Sequence, residues 1–208
     1  MGSSPCVGQN FCNDIVRCNR LGDTGFVTWL FYPGMLFGSM LSWWGAGRPR
    51  PRPHEGTDFC MYDTASGSTE FVSEGFRIPA VCSGRVECIH KDFLGHSVYI
   101  RHKLYNDNGR IFFSIYGHVD PLPEIRPGLT VRQGDVFAAV ADAGKRDGPM
   151  ASHLHLSFAW VAENPESRYL TWDTLNDPSV ALLVDPLELL QADYRVIDFE
   201  PGRQEEPI

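Results

Sequence analysis

His54, Asp58, His153 and His155 are the residues of this chain best suited to chemistry. They fall in two short motifs far apart in sequence: His54-Glu55-Gly56-Thr57-Asp58, an H-x-x-x-D, and His153-Leu154-His155, an H-x-H at the head of an apolar run. Imidazoles and a carboxylate, with further histidines at hand, make a ligand set that suits zinc. Three protein ligands leave a fourth position for water, and that open position separates a catalytic zinc from a closed structural one.

Such residues act together only if the chain presents them to one point. The run Leu154–Val161 predicts a strand, on which residues two apart share a face. His153 and His155 then aim into one space, with Ser157 and Ala159 continuing that face. Leu154, Leu156 and Phe158 turn to a core. The spacing of His54 and Asp58 would suit one face of a helix. Pro51 and Pro53 precede it and Gly56 lies inside it, so a turn entering a strand is expected instead. Gly56 removes a side chain where the backbone bends close to the site. His118 ends the strand pattern Ser114–Val119 just before Asp120-Pro121, a place from which a side chain can reach a site. His90, His96 and His102 read as ordinary surface or core histidines.

The chain has 208 residues, 43% hydrophobic and 21% charged, the composition of a globular protein with a sizeable core. A net charge of −8 argues against nucleic acid as a partner, because phosphate binding wants a basic face. The six cysteines form no C-x-x-C, so they offer no zinc-finger pattern; they could be free thiols or up to three disulfides. No secretory signal is recognisable, since Asp14, Arg17 and Arg20 interrupt the start. Phe26–Trp44 lacks charge, but Pro33, Gly34 and Gly38 break it. Two buried strands around a Pro33-Gly34 turn are expected there, and no membrane span.

Residues 1–24 read as an irregular leader. Short apolar runs follow at Met35–Trp44, Gly56–Tyr62, Phe76–Ala80, Arg85–Ile89, Val98–Ile100, Ile111–Tyr116, Val136–Ala141 and Leu154–Val161. With Asn106-Asp107-Asn108-Gly109 as a hairpin turn, they predict a mainly antiparallel β architecture. Asp177-Pro178-Ser179 could cap a helix over Val180–Leu183. Asp185 and Pro186 read as N-cap and first residue of another. The residues from about Asp193 onward read as a packed strand and then a loose tail.

In order along the chain, these motifs resemble the lysostaphin-type, LytM-like zinc metallopeptidases that cut peptidoglycan peptides. The family pattern H-x-G-x-D, then Y-x-H-L, then H-L-H is matched by His54–Asp58, by Tyr116-Gly117-His118-Val119 and by His153-Leu154-His155. Ile78-Pro79-Ala80 with Gly84-Arg85-Val86, Gly95–Val98 with Ile100-Arg101-His102, Val131–Val136 and Asp185-Pro186-Leu187 resemble its linking segments. The likeness covers about residues 35–190. It implies a single β-sandwich domain of the duplicated hybrid motif type with short helical additions, residues 1–34 as leader and 191–208 as tail.

The resemblance also implies one zinc ion on His54, Asp58 and His155, with His118 and His153 as catalytic residues beside it. The zinc-activated water would hydrolyse a bond of a peptidoglycan stem or cross-bridge. Which histidine is the base stays open. The partner would be peptidoglycan peptide, with a protein activator or inhibitor left open. The place of work would be outside the cytoplasm, in the periplasm or cell envelope or as a secreted protein. Three departures stand out: the loop Gly144–Ser152, Ser157 after H-L-H-L, and Val119 for leucine. The leader and residues 160–183 have no family counterpart.

The alternative is a non-catalytic zinc-binding regulator of another cell-wall hydrolase, although such degenerate relatives lose ligands and this chain has all five polar positions. A lipoyl or biotinyl carrier is suggested by Val131–Ala141, but Lys91, Lys103 and Lys145 sit in no suitable hairpin. A wholly structural zinc site would favour cysteines. A leader cysteine, Cys6, Cys12 or Cys18, could cover the open metal position as an inhibitory ligand.

Overall fold

The computed structural model describes residues 8, 10–44, 47–145, 150–163 and 170–198. In chain order the elements are α1 (Phe11–Cys18), β1 (Phe26–Phe31), β2 (Thr57–Phe59), β3 (Met61–Thr64), β4 (Thr69–Phe71), β5 (Arg77–Pro79), β6 (Gly84–Lys91) and β7 (His96–Tyr105). Then come β8 (Ile111–Pro121), β9 (Thr130–Val131), β10 (Val136–Val140), β11 (Leu154–Val161), α2 (Trp172–Leu175), β12 (Ala181–Val184), α3 (Pro186–Leu190) and β13 (Tyr194–Val196).

Among the described residues, β13-β1-β3-β4 make a small sheet, and the larger sheet runs β12-β11-β8-β7-β6-β9. β10 joins the larger sheet through β8 and carries β5 on its other edge, and β2 joins it through β11. The ladders are antiparallel except β1–β13. This is the expected mainly β, antiparallel architecture with short helical additions. The β7–β8 turn forms where Asn106–Gly109 predicted it: Asn106 Oδ1 accepts the amides of Asn108 and Arg110, and Gly109 takes φ +72°.

β8 is buried from Ile111 to Val119, because both faces of the larger sheet are covered. Phe112, Tyr116, Leu154, Leu156 and Phe158 join the main core, shared with the small sheet. Ile111, Phe113, Ile115, Ala159 and Val161 join a second cluster closed by Leu170, Leu175 and Ala181. Phe59 ties the two sheets, meeting Trp29 at 5.2 Å and Phe31 at 5.3 Å, both edge-on. Burial of one such ring contributes about 1.5–3 kcal/mol.

Three local expectations need correction. The leader is not irregular over Phe11–Cys18: Phe11 and Ile15, one helical turn apart, both bury in the main core and draw α1 onto it. Only the first of the two strands around Pro33-Gly34 forms. After it, Gly38 and His54 exchange backbone bonds through Ser39, and Arg50 bonds back to Met40 and Leu41, so a folded loop satisfies the backbone groups that a strand would have paired. Val180–Leu183 is not a helix; Asp177 caps a turn, and Ala181–Val184 continues as β12 on the edge of β11 left open beyond β2. Asp185 does cap α3, accepting the Leu187 amide at 2.9 Å.

The described cysteines, Cys12, Cys18, Cys60, Cys82 and Cys88, are free thiols. Burial, with the charge of Asp58 adding to it, pushes Cys60 up to about 12, so that thiol is inert. Among the described residues no helix is long and apolar enough to cross a membrane.

Candidate functional site

Three adjacent strands bring the site together. β2 and β11 pair with Asp58 directly opposite His155, so their side chains leave the sheet side by side on one face. On its other edge β11 sets His155 opposite Gly117 of β8. A Cβ on Gly117 would lie 3.3 Å from His155 Cβ and 3.2 Å from the Trp172 ring, so glycine there makes room for both. Gly56 is required more strictly: a Cβ would stand 2.3 Å from the Leu156 carbonyl oxygen and 2.4 Å from Ser157 Oγ.

His54 arrives from the turn before β2. Its Nε2 lies 3.2 Å from Asp58 Oδ1 and 3.1 Å from His155 Nδ1, and His155 Nδ1 is 2.8 Å from the same Oδ1. The three side chains are buried. Ligands of a tetrahedral ion with bonds of about 2.0–2.1 Å stand about 3.3 Å apart, close to this spacing. The far side of each of the three side chains is engaged elsewhere. His54 Nδ1 donates to the Leu36 carbonyl at 3.1 Å, leaving Nε2 with its lone pair. Ser157 Oγ, 3.0 Å from His155 Nε2, can accept that proton and leave Nδ1 bare. Trp43 Nε1 donates to Asp58 Oδ2 at 2.6 Å, with Arg50 at 3.8 Å, which leaves Oδ1 to the cluster. Burial alone would raise the Asp58 pKa, but His54, His153 and the bonds from His155 and His54 outweigh it and hold the carboxyl well below its usual range. This donor set fits a metal ion, and outward partners of this kind orient metal ligands.

His153 and His118 stand beside the group. His153 Nδ1 donates to the Ala151 carbonyl at 2.8 Å, and its Nε2 comes within 3.7 Å of Asp58 Oδ1. Burial, against the pull of Asp58, pushes the His153 pKa down to about 3 and keeps the ring neutral. The His118 ring lies 4.8 Å from that of His153 and 5.9 Å from that of His155. It reaches them through a β-bulge. Between the pairs His96↔Val119 and Val98↔Tyr116, β7 advances two residues and β8 three, and His118 takes φ +62°. The extra residue re-aims the side chain.

All five residues singled out from the sequence therefore meet in one place. His90, His96 and His102 stay outside the group. Among the described residues no cysteine joins it, and Cys6 lies outside them. Several participants carry no sequence signal: Trp43, the Leu36 carbonyl, Asp92 beside His118, and Trp172. The Trp172 ring stands edge-on to His155 at 4.7 Å. Arg52 pairs with Asp173 at 2.9 Å and Asn176 donates to Glu55 at 3.0 Å, so the α2 segment clamps the turn that carries His54. A cavity of about 250 Å³ opens beside His54, lined mainly by apolar groups including Phe37, Pro53, Leu175 and Leu182.

The model of peptidase family M23 matches residues 52–166. No curated protein matches the chain. Among solved structures, a candidate M23 peptidase from Pseudomonas aeruginosa is 21% identical, with 93% of this chain covering 66% of that one and a TM-score of 0.39. Lysostaphin is 18% identical, covered 85% and 60%, with a TM-score of 0.43. A zinc-containing peptidase from Vibrio cholerae is 21% identical, covered 64% and 37%, with a TM-score of 0.37. The chain spans less than two thirds of the length of each of these proteins.

Proposed function

The chain belongs to peptidase family M23, and from that premise we propose that it is a zinc-dependent endopeptidase acting on stem or cross-bridge peptides of bacterial peptidoglycan. The observation that carries this reading is the convergence of His54 Nε2, Asp58 Oδ1 and His155 Nδ1 within 2.8–3.2 Å of one another, each backed by an outward partner. These three would hold one zinc ion. When bound, it would supply Lewis acidity toward a carbonyl and toward water.

The remaining residues divide the proton work. His153 keeps its Nδ1 proton on the Ala151 carbonyl and turns a bare Nε2 toward the cluster, so it is the general base that takes the proton of the attacking water. His118, whose ring stands 4.8 Å from that of His153, completes that work by taking a proton from the tetrahedral adduct and delivering it to the leaving amine. Trp43 and Trp172 flank the centre edge-on to His153 and His155. The substrate puts the place of work outside the cytoplasm.

The test is mass spectrometry of purified peptidoglycan after incubation with the zinc-loaded protein, with and without chelator. New peptide termini that vanish with chelator are expected, and their masses name the bond. Bound zinc with intact peptidoglycan would sink the enzyme reading in favour of a regulator of another cell-wall hydrolase.

A further inference from the structure

We infer that Asp92 is the positioning residue of His118. The bulge in β8 leaves the His118 amide without a ladder partner, and a buried amide needs one. Asp92 Oδ2 supplies it, accepting that N–H at 2.9 Å. The same oxygen lies 3.3 Å from His118 Nδ1, off the line of a good hydrogen bond, an approach that tightens readily once substrate fills a site. One carboxylate therefore holds the left-handed backbone of His118 and lies against the edge of its ring.

Asp92 is itself immobilised. It opens the four-residue turn between β6 and β7, where its Oδ1 accepts the amides of Leu94 at 3.0 Å and Gly95 at 2.7 Å. The turn presses on β8 beside the bulge: a Cβ on Gly95 would lie 2.7 Å from Ala141 Cβ and 3.0 Å from the Val119 carbonyl oxygen. Ser97 Oγ donates to Asp92 Oδ2 at 2.8 Å and accepts from Trp172 Nε1 at 3.0 Å. A string Trp172–Ser97–Asp92–His118 thus runs from the α2 segment, beyond the family match, to the histidine beside the metal ligands. Phe93 closes the outer face of the His118 ring, with ring centres 4.5 Å apart. Asp92 Oδ2, 3.3 Å from Nδ1, favours the tautomer with hydrogen on Nδ1 and the lone pair on Nε2. A cap on the hairpin needs Oδ1 alone; Oδ2 is taken by the His118 amide and the Ser97 hydroxyl.

The catalytic half of this inference rests on the peptidase reading; the positional half does not. The test compares the zinc-loaded wild-type chain with Asp92→Asn and Ser97→Ala, by turnover of peptidoglycan peptides, zinc content and nitrogen-15 NMR of labelled histidine rings. In Asp92→Asn, kcat should fall about 10–100-fold with KM little changed and zinc retained, as expected for a misplaced catalytic group. The His118 ring signals should leave the single Nδ1–H tautomer. Ser97→Ala keeps the hairpin bonds and should move both readouts less, in the same direction; it decides the matter if Asp92→Asn does not fold. Wild-type kcat together with unchanged His118 signals in a folded Asp92→Asn overturns the inference. So does a Ser97→Ala protein whose His118 signals and kcat match the wild type when Asp92→Asn fails to fold. A wild type that cuts nothing counts against the peptidase reading, and the ring signals then still decide whether Asp92 positions His118.

Discussion

Asp58 and His155 face each other across the β2–β11 ladder, and the carboxylate Oδ1 stands 2.8 Å from the imidazole Nδ1. The candidate metal group is thus built on backbone pairing, with one of its residues on each of two neighbouring strands and His54 folded in from the turn before them. His54→Ala, Asp58→Ala and His155→Ala should each lower zinc affinity by more than about 100-fold, beyond the loss typical of changes to outer partners. Metal analysis after gel filtration, with competition against a chromogenic chelator, reads this out. Stoichiometric zinc in His155→Ala would remove the site as assigned.

The outward partner of Asp58 gives a second prediction. Trp43→Phe keeps an aromatic ring against His153 and removes the N–H that holds Asp58 Oδ2 at 2.6 Å. The carboxylate then loses its orientation while its charge and burial stay. Zinc affinity should fall about 10–100-fold without loss of fold. Equal chelator competition curves for variant and wild type would show that the indole only fills space.

His118 and His153 should separate metal binding from turnover. Neither belongs to the group of three converging ligand atoms. His153→Ala and His118→Ala should retain zinc and each lose about 10²–10⁴-fold in kcat, the usual worth of proton transfer by a placed side chain. Zinc content is measured on the same samples as turnover. Loss of zinc in His153→Ala would make it a ligand and reassign its role.

What was legible in the sequence is what strand geometry decides locally. The alternation Leu154, Leu156, Phe158 against His155, Ser157 is a pattern of period two, and β11 occupies the expected residues. Gly56 and the two preceding prolines similarly announced a turn entering a strand. Apart from the family motif it resembles, His118 could be suspected only from its place at a strand end. Its presentation depends on a mismatch of one residue between β7 and β8, which neither strand shows alone. Trp43, Asp92 and Trp172 reach the site from a loop, a hairpin and a helix remote in sequence from the motifs they serve. The same limit misplaced residues 180–183: their local composition permits a helix, and the free edge of β11 makes them a strand.

His102 gives a prediction about stability rather than catalysis. It is buried away from the metal group, donates from Nδ1 to the Ser83 carbonyl at 3.0 Å, and accepts at Nε2 from Ser114 Oγ at 2.8 Å. The neutral ring is fully satisfied. Burial, partly offset by the bond to Ser83, pushes its pKa from 6.5 down to about 4. As pH falls below 6.5 the unfolded chain takes up a proton that the folded chain refuses, so stability falls with pH down to about 4 and then levels. The full difference amounts to about 3 kcal/mol. Urea unfolding of metal-free wild type and His102→Gln at several pH values between these limits isolates this share, because the other titrating groups are common to both. The wild-type curve should fall more steeply on acidification. Parallel curves would mean that His102 titrates alike in the folded and unfolded chains, and that its burial costs the charged form nothing.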